Sequence, residues 1–252
     1  MFNPKDYSDS FIIEKDHSDY VLKEYIGNIH GTLEIPEGVT RISSFAFGPS
    51  WTNNYPEINK IIFPRTLKRI PDCNFGSWAN LEEVIIPEGV TSIADSAFFQ
   101  CTELTSIDLP TSISVIGKES FRGCALLKSI ELPNITNVPH VAFAYCNKLE
   151  SVDISNVTTI DEAAFYGCSS LKSISDLSNV KEIPRYAFYS CNSLKSINIP
   201  NVITIGERAF YDCAFDTIDL PKVETIGVRA FLSCGNLKSI NMPKVKTLGE
   251  GA

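Results

Sequence analysis

The chain has 252 residues, 44% of them hydrophobic, and its 30 acidic and 22 basic residues give a net charge of −8. This balance argues against a nucleic-acid partner, because binding to a phosphate backbone normally needs a basic face. No stretch approaches the roughly 20 apolar residues of a membrane-spanning helix, so no membrane span is expected.

The first 30 residues differ from the rest and are predicted to form a capping segment. Residues 11–13 and 20–22 are predicted as two short strands joined by the polar run 14–19. They would cover the open edge of the first repeat, since terminal repeats need an atypical outer face. Residues 1–10 lack the basic start and apolar run of a secretory signal. The sequence therefore leaves the compartment undetermined.

From residue 31 to residue 252 one phrase returns about every 22 residues, as in Ala-Phe-x-x-Cys-x-x-Leu-x-Ser-Ile-x-Leu-Pro at 97–110. The anchoring phenylalanines are 28, 23, 23, 22, 22, 23, 22 and 21 residues apart, and they are Phe47, Phe75, Phe98, Phe121, Phe143, Phe165, Phe188, Phe210 and Phe231. A fixed period in the twenties predicts a leucine-rich-repeat solenoid, a right-handed superhelix built mainly of short stacked parallel strands.

Each repeat divides into three parts. Apolar and polar residues alternate in 127–132, which predicts a short strand with one buried face. Pro133 ends that strand because proline cannot donate to the ladder. An apolar-x-x-apolar step such as Val202/Ile205 predicts a second extended segment, and the Ala-Phe-x-x-Cys spacing predicts one short helical turn.

The period changes at three places, where the coil must accommodate a different length. The first interval carries residues 48–56, a predicted loop that contains Trp51 and Tyr55. The run 176–179 lengthens one repeat by one residue, and Phe215 follows Cys213 too closely and shortens another. Insertions in repeat proteins leave the coil as loops.

Seven of the eight cysteines occupy one repeat position, three residues after the phenylalanine. They are Cys101, Cys124, Cys146, Cys168, Cys191, Cys213 and Cys234, whereas Cys73 is out of register. The chain has no CxxC pair, so the spacing favours neither a zinc ribbon nor a redox motif. Adjacent positions would lie ~5 Å apart, which leaves disulfides open, but buried thiols packed as small hydrophobes are the favoured interpretation.

These repeats resemble the BspA-type leucine-rich repeat family, whose coils have the form Ile-Pro-x-x-Val-x-x-Ile-Gly-x-x-Ala-Phe-x-x-Cys. Residues 199–213 match this form, and Asn74 and Trp78 depart from it in the second repeat. The resemblance implies a protein-recognition role, since members are surface or secreted proteins of bacteria and mucosal protists that bind host proteins or other cells. It assigns no ligand residues, because the shared phrase belongs to the scaffold.

A catalytic role is not predicted, and neither are a metal or a cofactor. The three histidines, His17, His30 and His140, belong to no recognisable nucleophile motif. Cys73 has no basic neighbours that would lower its pKa. No loop has the spacing of a calcium site, and the recurring Ile-Gly pair is interpreted as a turn of the repeat.

The outward strand positions form the first candidate binding surface. They produce an acidic and hydroxyl-rich strip, whose candidate residues are Asp108, Glu131, Asp153, Asn198, Asp219 and Asn241. Solenoid sheets commonly provide extended binding faces. Solvation is the alternative explanation, because charged residues also keep sheets soluble and deter edge pairing.

Aromatic residues supply two further candidates. Tyr166, Tyr189 and Tyr211 directly follow the phenylalanine on successive coils and would stack into a stripe. Tyrosine is enriched at interfaces, although these rings could instead shield the core. Trp51 and Tyr55 could bind a ligand from their loop or fold back onto the irregular second coil.

The sequence thus predicts a protein-binding or adhesive scaffold whose partner is a protein or a host or cell-surface ligand. The alternative is a structural component that stacks end to end. The last repeat stops at Ala252, one residue before the next expected phenylalanine, and has no predicted cap. An uncovered coil would leave strand groups and apolar surface unpaired.

Overall fold

The protein is a solenoid of about 10 turns of stacked parallel strands with almost no helix. The computed structural model describes residues 2–28, 30–48 and 57–252. Trp51 and Tyr55, predicted to lie in a loop, fall outside the described residues.

The N-terminal segment begins with a short 3-10 helix, Pro4–Tyr7, capped by the side chain of Asn3. Strands β1 (Phe11–Asp16) and β2 (Asp19–Tyr25) then pair in antiparallel fashion. β2 also pairs in parallel with β4 (Arg41–Ile42), the first short strand of the repeats. The hairpin thereby adds its own strand to the edge of the first coil.

A first column of strands follows the conserved leucine position of each coil. It comprises β3 (Gly31–Glu34), β5 (Ile58–Ile62), β7 (Glu83–Ile85), β9 (Ser106–Asp108), β11 (Ser129–Glu131), β13 (Ser151–Asp153), β15 (Ser173–Ile174), β18 (Thr217–Asp219) and β20 (Ser239–Asn241). Equivalent residues pair across coils, for example Ile130 with Val152 and Glu131 with Asp153. This register keeps every central apolar residue on the core side, because side chains alternate along a strand.

A second column of two-residue strands follows the proline turn. With β4 it comprises β6 (Arg69–Ile70), β8 (Ser92–Ile93), β10 (Val115–Ile116), β12 (Asn137–Val138), β14 (Thr159–Ile160), β16 (Glu182–Ile183), β17 (Thr204–Ile205), β19 (Thr225–Ile226) and β21 (Thr247–Leu248). The second residue is buried in every strand except β21, where Leu248 is 59% exposed; Ile70, Ile93 and Ile205 are fully or almost fully buried. The predicted second extended segment is therefore present.

The first column is not one continuous sheet. β9 ends a four-stranded sheet and β11 begins another. Just before the two strands, main-chain hydrogen bonds still join their coils, from Leu126 N to Thr102 O and from Lys128 N to Thr105 O, both at 3.3 Å. A second gap lies at residues 195–199, which form no strand between β15 and β18. This gap lies between the lengthened repeat and the shortened repeat.

The Ala-Phe-x-x-Cys segment forms the third side of each coil as two overlapping turns, in place of a regular helical turn. In the coil of Phe98, Phe99 N donates to Ser96 O and Cys101 N donates to Phe98 O, both at 3.3 Å. Ser96 and Gln100 adopt positive φ angles of 53° and 55°. These left-handed residues redirect alternate N–H groups, so Phe98 N donates to Ser120 O of the next coil at 2.9 Å.

The core is a column of phenylalanine rings that follows the solenoid axis. Phe121, Phe143 and Phe165 are fully buried, and successive ring centroids among them lie 5.5 Å apart. Offset-stacked aromatic pairs at such distances stabilise beyond the area that they bury. Trp78 replaces the cysteine of its coil and packs edge-on against Phe75 at 5.3 Å.

The recurring Ile-Gly pair marks a close approach of consecutive coils. A Cβ atom added at Gly206 would lie 2.5 Å from the backbone nitrogen of Arg185 in the previous coil. At Gly227 it would lie 2.6 Å from the backbone nitrogen of Glu207. Glycine is required there because any side chain would push two coils apart.

Candidate functional site: a groove of tyrosine and arginine

The acidic strip lies on the outer face of the first column, and its six candidate residues are exposed. Several of its polar groups are already paired within the strip. Asn241 Nδ2 donates to Asp219 Oδ1 at 2.7 Å, and Asn198 Nδ2 donates to Asp176 Oδ1 at 3.0 Å. The N–H of Ser155 donates to Asp153 and lowers the pKa of that carboxyl below its usual value. These contacts bridge coils or close turns, which suits a solvated surface.

The gap between β9 and β11 opens a shallow cleft of about 240 Å³ within the strip. Asp108 and Glu131 lie on opposite sides of it, with Ser106 and Ser129 beside them. The two carboxylates thus lie on separate sheets and do not form one uninterrupted row. Among the described residues, no cluster of three or more metal-binding side chains occurs here or elsewhere.

The third side of the solenoid carries a groove of about 470 Å³ that is lined mostly by aromatic and cationic side chains. We call it the tyrosine groove, and its lining residues are Tyr166, Tyr186, Tyr189, Arg208, Tyr211, Arg229 and Leu232. The three tyrosines predicted from the sequence are all part of it. The strip and the groove lie on different sides of the coil, since one follows the strands and the other follows the phenylalanine turns.

Stacked rings form the floor of the groove. The centroids of Tyr166 and Tyr189 lie 4.6 Å apart at 4°, and those of Tyr189 and Tyr211 lie 4.5 Å apart at 6°. Tyr145, on the preceding coil, extends the row at 5.3 Å from Tyr166. The rings are half-buried, and Tyr145 is 45% exposed. This spacing equals the separation of neighbouring strands, so each coil adds one ring.

Tyr186 forms the wall and is held from both sides by arginines. Arg208 Nη1 donates to the Tyr186 hydroxyl at 2.8 Å, and Arg185 Nη2 donates to it at 3.1 Å. The Arg185 guanidinium also lies 4.5 Å from the centre of the Tyr186 ring, which is a cation–π contact. Glu207 pairs with both arginines. This network fixes a ring that would otherwise rotate freely on the surface.

Burial makes two hydroxyl groups of the groove harder to ionise than free phenols. Burial raises the pKa of Tyr189, and the neighbouring Tyr211 adds to the effect. Burial likewise raises the pKa of Tyr166, with a contribution from Tyr145. The hydrogen bond to Tyr186 raises the pKa of Arg185. The groove therefore presents neutral phenols, which are hydrogen-bond donors, beside permanent cations.

Sequence reasoning missed Tyr145, Tyr186, Arg208 and Arg229. They lie two residues before or after the anchoring phenylalanine, where the backbone has positive φ angles of 62°, 58°, 51° and 55°, respectively. In a regular helical turn these side chains would point away from the tyrosine row. The left-handed backbone conformation directs them towards it. The signal in the sequence is the set of tyrosines and arginines two residues before or after the phenylalanine on neighbouring repeats. An alignment of the repeats would have shown it.

Two other surface regions have less distinctive chemistry than the tyrosine groove. A depression of about 640 Å³ beside the second column is lined by Lys118, His140, Asp161 and Glu182 among others, so both charge signs are mixed in it. Phe99 occupies the same repeat position as the three stacked tyrosines, and it packs under Arg122 at 5.2 Å. It does not line the tyrosine groove.

The cysteine ladder is buried and is not a reactive site. All eight cysteines are thiols, and the seven of the ladder are buried. Burial raises the pKa of Cys124 and Cys168 to about 12. Burial and the carboxylates of Asp72 and Asp95 also raise the pKa of Cys73. A raised pKa removes the thiolate that nucleophilic chemistry needs.

The pattern of three-sided coils agrees with a known family. The model of the "BspA type leucine rich repeat region (6 copies)" matches residues 50–172 and 158–252. The chain belongs to the BspA-type leucine-rich repeat family. The resemblance drawn from the sequence is thus confirmed, and the chain is a repeat scaffold of this type.

Solved structures share this fold over 81% to 95% of the chain. A leucine rich cell surface protein from Faecalibacterium prausnitzii is 20% identical, with 94% of this chain and 96% of that chain covered and a TM-score of 0.51. The leucine rich repeat protein of T. pallidum is 21% identical over 81% and 86% of the two chains, with a TM-score of 0.57. The pneumococcal vaccine antigen PcpA is 17% identical over 95% and 86%, with a TM-score of 0.51. No curated protein matches the chain significantly.

In the BspA-type repeat motif, the fixed positions build the scaffold and the variable positions carry the candidate site. Its seven cysteines and its phenylalanines from the second repeat onwards are buried in the core, as predicted, and Phe47 is partly buried. The groove residues all occupy positions that the phrase leaves variable. No helix among residues 2–28, 30–48 and 57–252 is long and apolar enough to cross a membrane.

Proposed function

We propose that the chain is a binding scaffold that recognises a partner protein, such as a host or cell-surface protein, through the tyrosine groove. The observation that supports it best is the row of stacked tyrosines braced by arginines on successive coils. The repeat phrase does not require any of these residues. A catalytic role has no support from the buried thiols or from the isolated histidines.

Tyrosine and arginine are the residue types that protein interfaces favour. Both are enriched among the residues that dominate binding energy, whereas lysine and the acidic residues are depleted. A stacked tyrosine has little rotamer freedom left to lose on binding, so it offers contact area at a low entropic cost. The acidic strip offers exposed carboxylates, two of which, Asp153 and Asp219, already accept hydrogen bonds from neighbouring groups. Exposed charges of this kind contribute little binding energy.

Location at the cell surface is part of the proposal, in keeping with what the family resemblance implies. A surface repeat protein would present its long sides to solvent. The groove runs along such a side over several coils, so a partner could contact it without displacing any part of the solenoid.

Surface plasmon resonance with a panel of purified extracellular-matrix and mucosal proteins tests the proposal. The double variant Tyr189→Ser, Tyr211→Ser should lower the affinity for a bound partner at least tenfold. The triple charge reversal Asp108→Lys, Glu131→Lys, Asp153→Lys serves as the matched control and should keep most of the affinity. Loss of binding in the triple variant alone would transfer the site to the strip. Light scattering of the same samples tests the alternative of end-to-end stacking, which predicts a mass that grows with concentration.

A further inference from the structure

The charge of the tyrosine groove differs from that of the molecule as a whole. The chain carries a net charge of −8, yet the groove is lined by Arg208 and Arg229 and by no acidic residue. Two neighbouring carboxylates lie outside the lining: Glu207 pairs with Arg208, and Asp212 accepts a hydrogen bond from Asn192. The groove is therefore a local cationic surface on an acidic protein.

The two arginines are not equivalent. Arg208 is engaged by Glu207 and by the Tyr186 hydroxyl. Arg229 is exposed, and within residues 2–28, 30–48 and 57–252 its guanidinium has no ion pair or hydrogen bond. Its main chain is fixed because its N–H donates to Glu250 O at 2.9 Å. Arg229 thus offers a positioned backbone and a free bidentate cation, the group that suits a carboxylate.

The tyrosine hydroxyls add hydrogen-bond donors to the groove that Arg229 lines. Those of Tyr189 and Tyr211 have no hydrogen-bond partner among the described residues, and their rings are 4.5 Å apart. Leu232 lies at the same end of the groove and is 40% exposed. An extended segment advances ~3.3 Å per residue, so the stacked rings face about three consecutive residues of a ligand.

We infer that the tyrosine groove binds a short, extended acidic segment of the partner protein, with Arg229 pairing with a partner carboxylate. This inference rests on the proposed function and names the chemistry of its partner. The partner's carboxylates would meet Arg229 and the phenolic hydroxyls, and an adjacent apolar side chain would cover Leu232. A long polyanion is disfavoured, because the chain as a whole carries a net charge of −8.

Isothermal titration calorimetry with two synthetic peptides tests the inference. The acidic peptide is GDFEDFEDFG, and its amide analogue is GNFQNFQNFG, which keeps the size and the aromatic residues. The acidic peptide should bind at least ten times more tightly than the amide analogue in 50 mM salt, and its affinity should fall as salt rises. Equal affinities for the two peptides, or no binding of the acidic one, would overturn the inference.

Two matched variants show whether the acidic peptide binds at Arg229. Arg229→Gln should weaken the acidic peptide about five- to tenfold, whereas Arg69→Gln, at an exposed arginine of the second column, should leave it unchanged. Equal losses in both variants would reduce the effect to general charge attraction and overturn the inference. A single-stranded dT12 oligonucleotide that binds more tightly than the acidic peptide would also overturn it. The two peptides could bind equally well and both lose binding in the double variant Tyr189→Ser, Tyr211→Ser. That result would refute the acidic partner but leave the proposed function standing.

Discussion

The thiol of Cys146 donates a hydrogen bond to the main-chain carbonyl oxygen of Phe121, one coil earlier, over 3.2 Å. The same bond recurs for the other six cysteines of the ladder at 3.1 to 3.3 Å. The cysteine is therefore more than a small hydrophobe. It fills the core and also ties each phenylalanine turn to the next coil.

These buried thiols predict a loss of stability at alkaline pH. Burial raises the pKa of Cys124 and Cys168 to about 12, from a value of 9.0 in an unperturbed thiol. Above pH 9 the unfolded chain releases these protons while the folded chain keeps them. Stability that is fully present below pH 9 is therefore lost as the pH rises towards 12. Each such thiol should contribute a decline of about 1.4 kcal/mol per pH unit.

Urea unfolding midpoints measured from pH 8 to pH 10.5 check this prediction. Cys168→Ala should make the decline shallower above pH 9, by an amount that approaches about 1.4 kcal/mol per pH unit near pH 10.5, the share of one thiol. Cys73→Ala, at the half-buried cysteine outside the ladder, should retain nearly the full decline. A wild-type chain of constant stability over this range would show that the ladder is not buried in the way described.

Replacing Ser120 with alanine is predicted to stabilise the protein. It occupies the position before the phenylalanine, where alanine stands at most other repeats, and it is fully buried. Its hydroxyl has no hydrogen-bond partner among the described residues. Because a buried unpaired hydroxyl costs about 1–3 kcal/mol, Ser120→Ala should raise the free energy of unfolding by roughly 1 kcal/mol. Differential scanning calorimetry should show a higher midpoint. The exposed control Ser129→Ala should be neutral, and a destabilised Ser120→Ala would reveal a partner for the hydroxyl.

Gly206 and Gly235 provide a matched test of coil spacing. A methyl group at Gly206 would approach Arg185 N to 2.5 Å, whereas at Gly235 it would meet nothing within 4 Å. Gly206→Ala should therefore destabilise the chain by about 1–3 kcal/mol through overpacking. Gly235→Ala should stay within ~0.5 kcal/mol of wild type. Chemical denaturation of both variants checks the pair, and equal stabilities would contradict the close approach.

The scaffold was predicted well from the sequence because the residues that build it recur at fixed positions in every repeat. The nine phenylalanines, the cysteine ladder and the two strand segments all follow from spacing and alternation. The gap between β9 and β11 was not predictable, since residues 106–108 and 129–131 have the same pattern as the paired strands around them. Whether those two strands pair depends on small differences in coil geometry that the pattern does not contain.

The candidate site was predicted only in part, for a conformational reason. Tyr166, Tyr189 and Tyr211 share one repeat position, so their stacking followed from the period. Tyr186, Arg208 and Arg229 stand three residues earlier in their own repeats and reach the groove because their φ angles are positive. Left-handed conformations are uncommon outside glycine, so nothing in these residue types indicated them.

Photo-cross-linking compares the two candidate surfaces directly. Benzoylphenylalanine is placed at Tyr211 in one variant and at Glu131 in another, and each is irradiated with a partner captured from the matrix and mucosal panel. The tyrosine groove predicts a covalent adduct from position 211 and little or none from position 131. An adduct from position 131 alone would contradict the assignment of the groove as the binding surface.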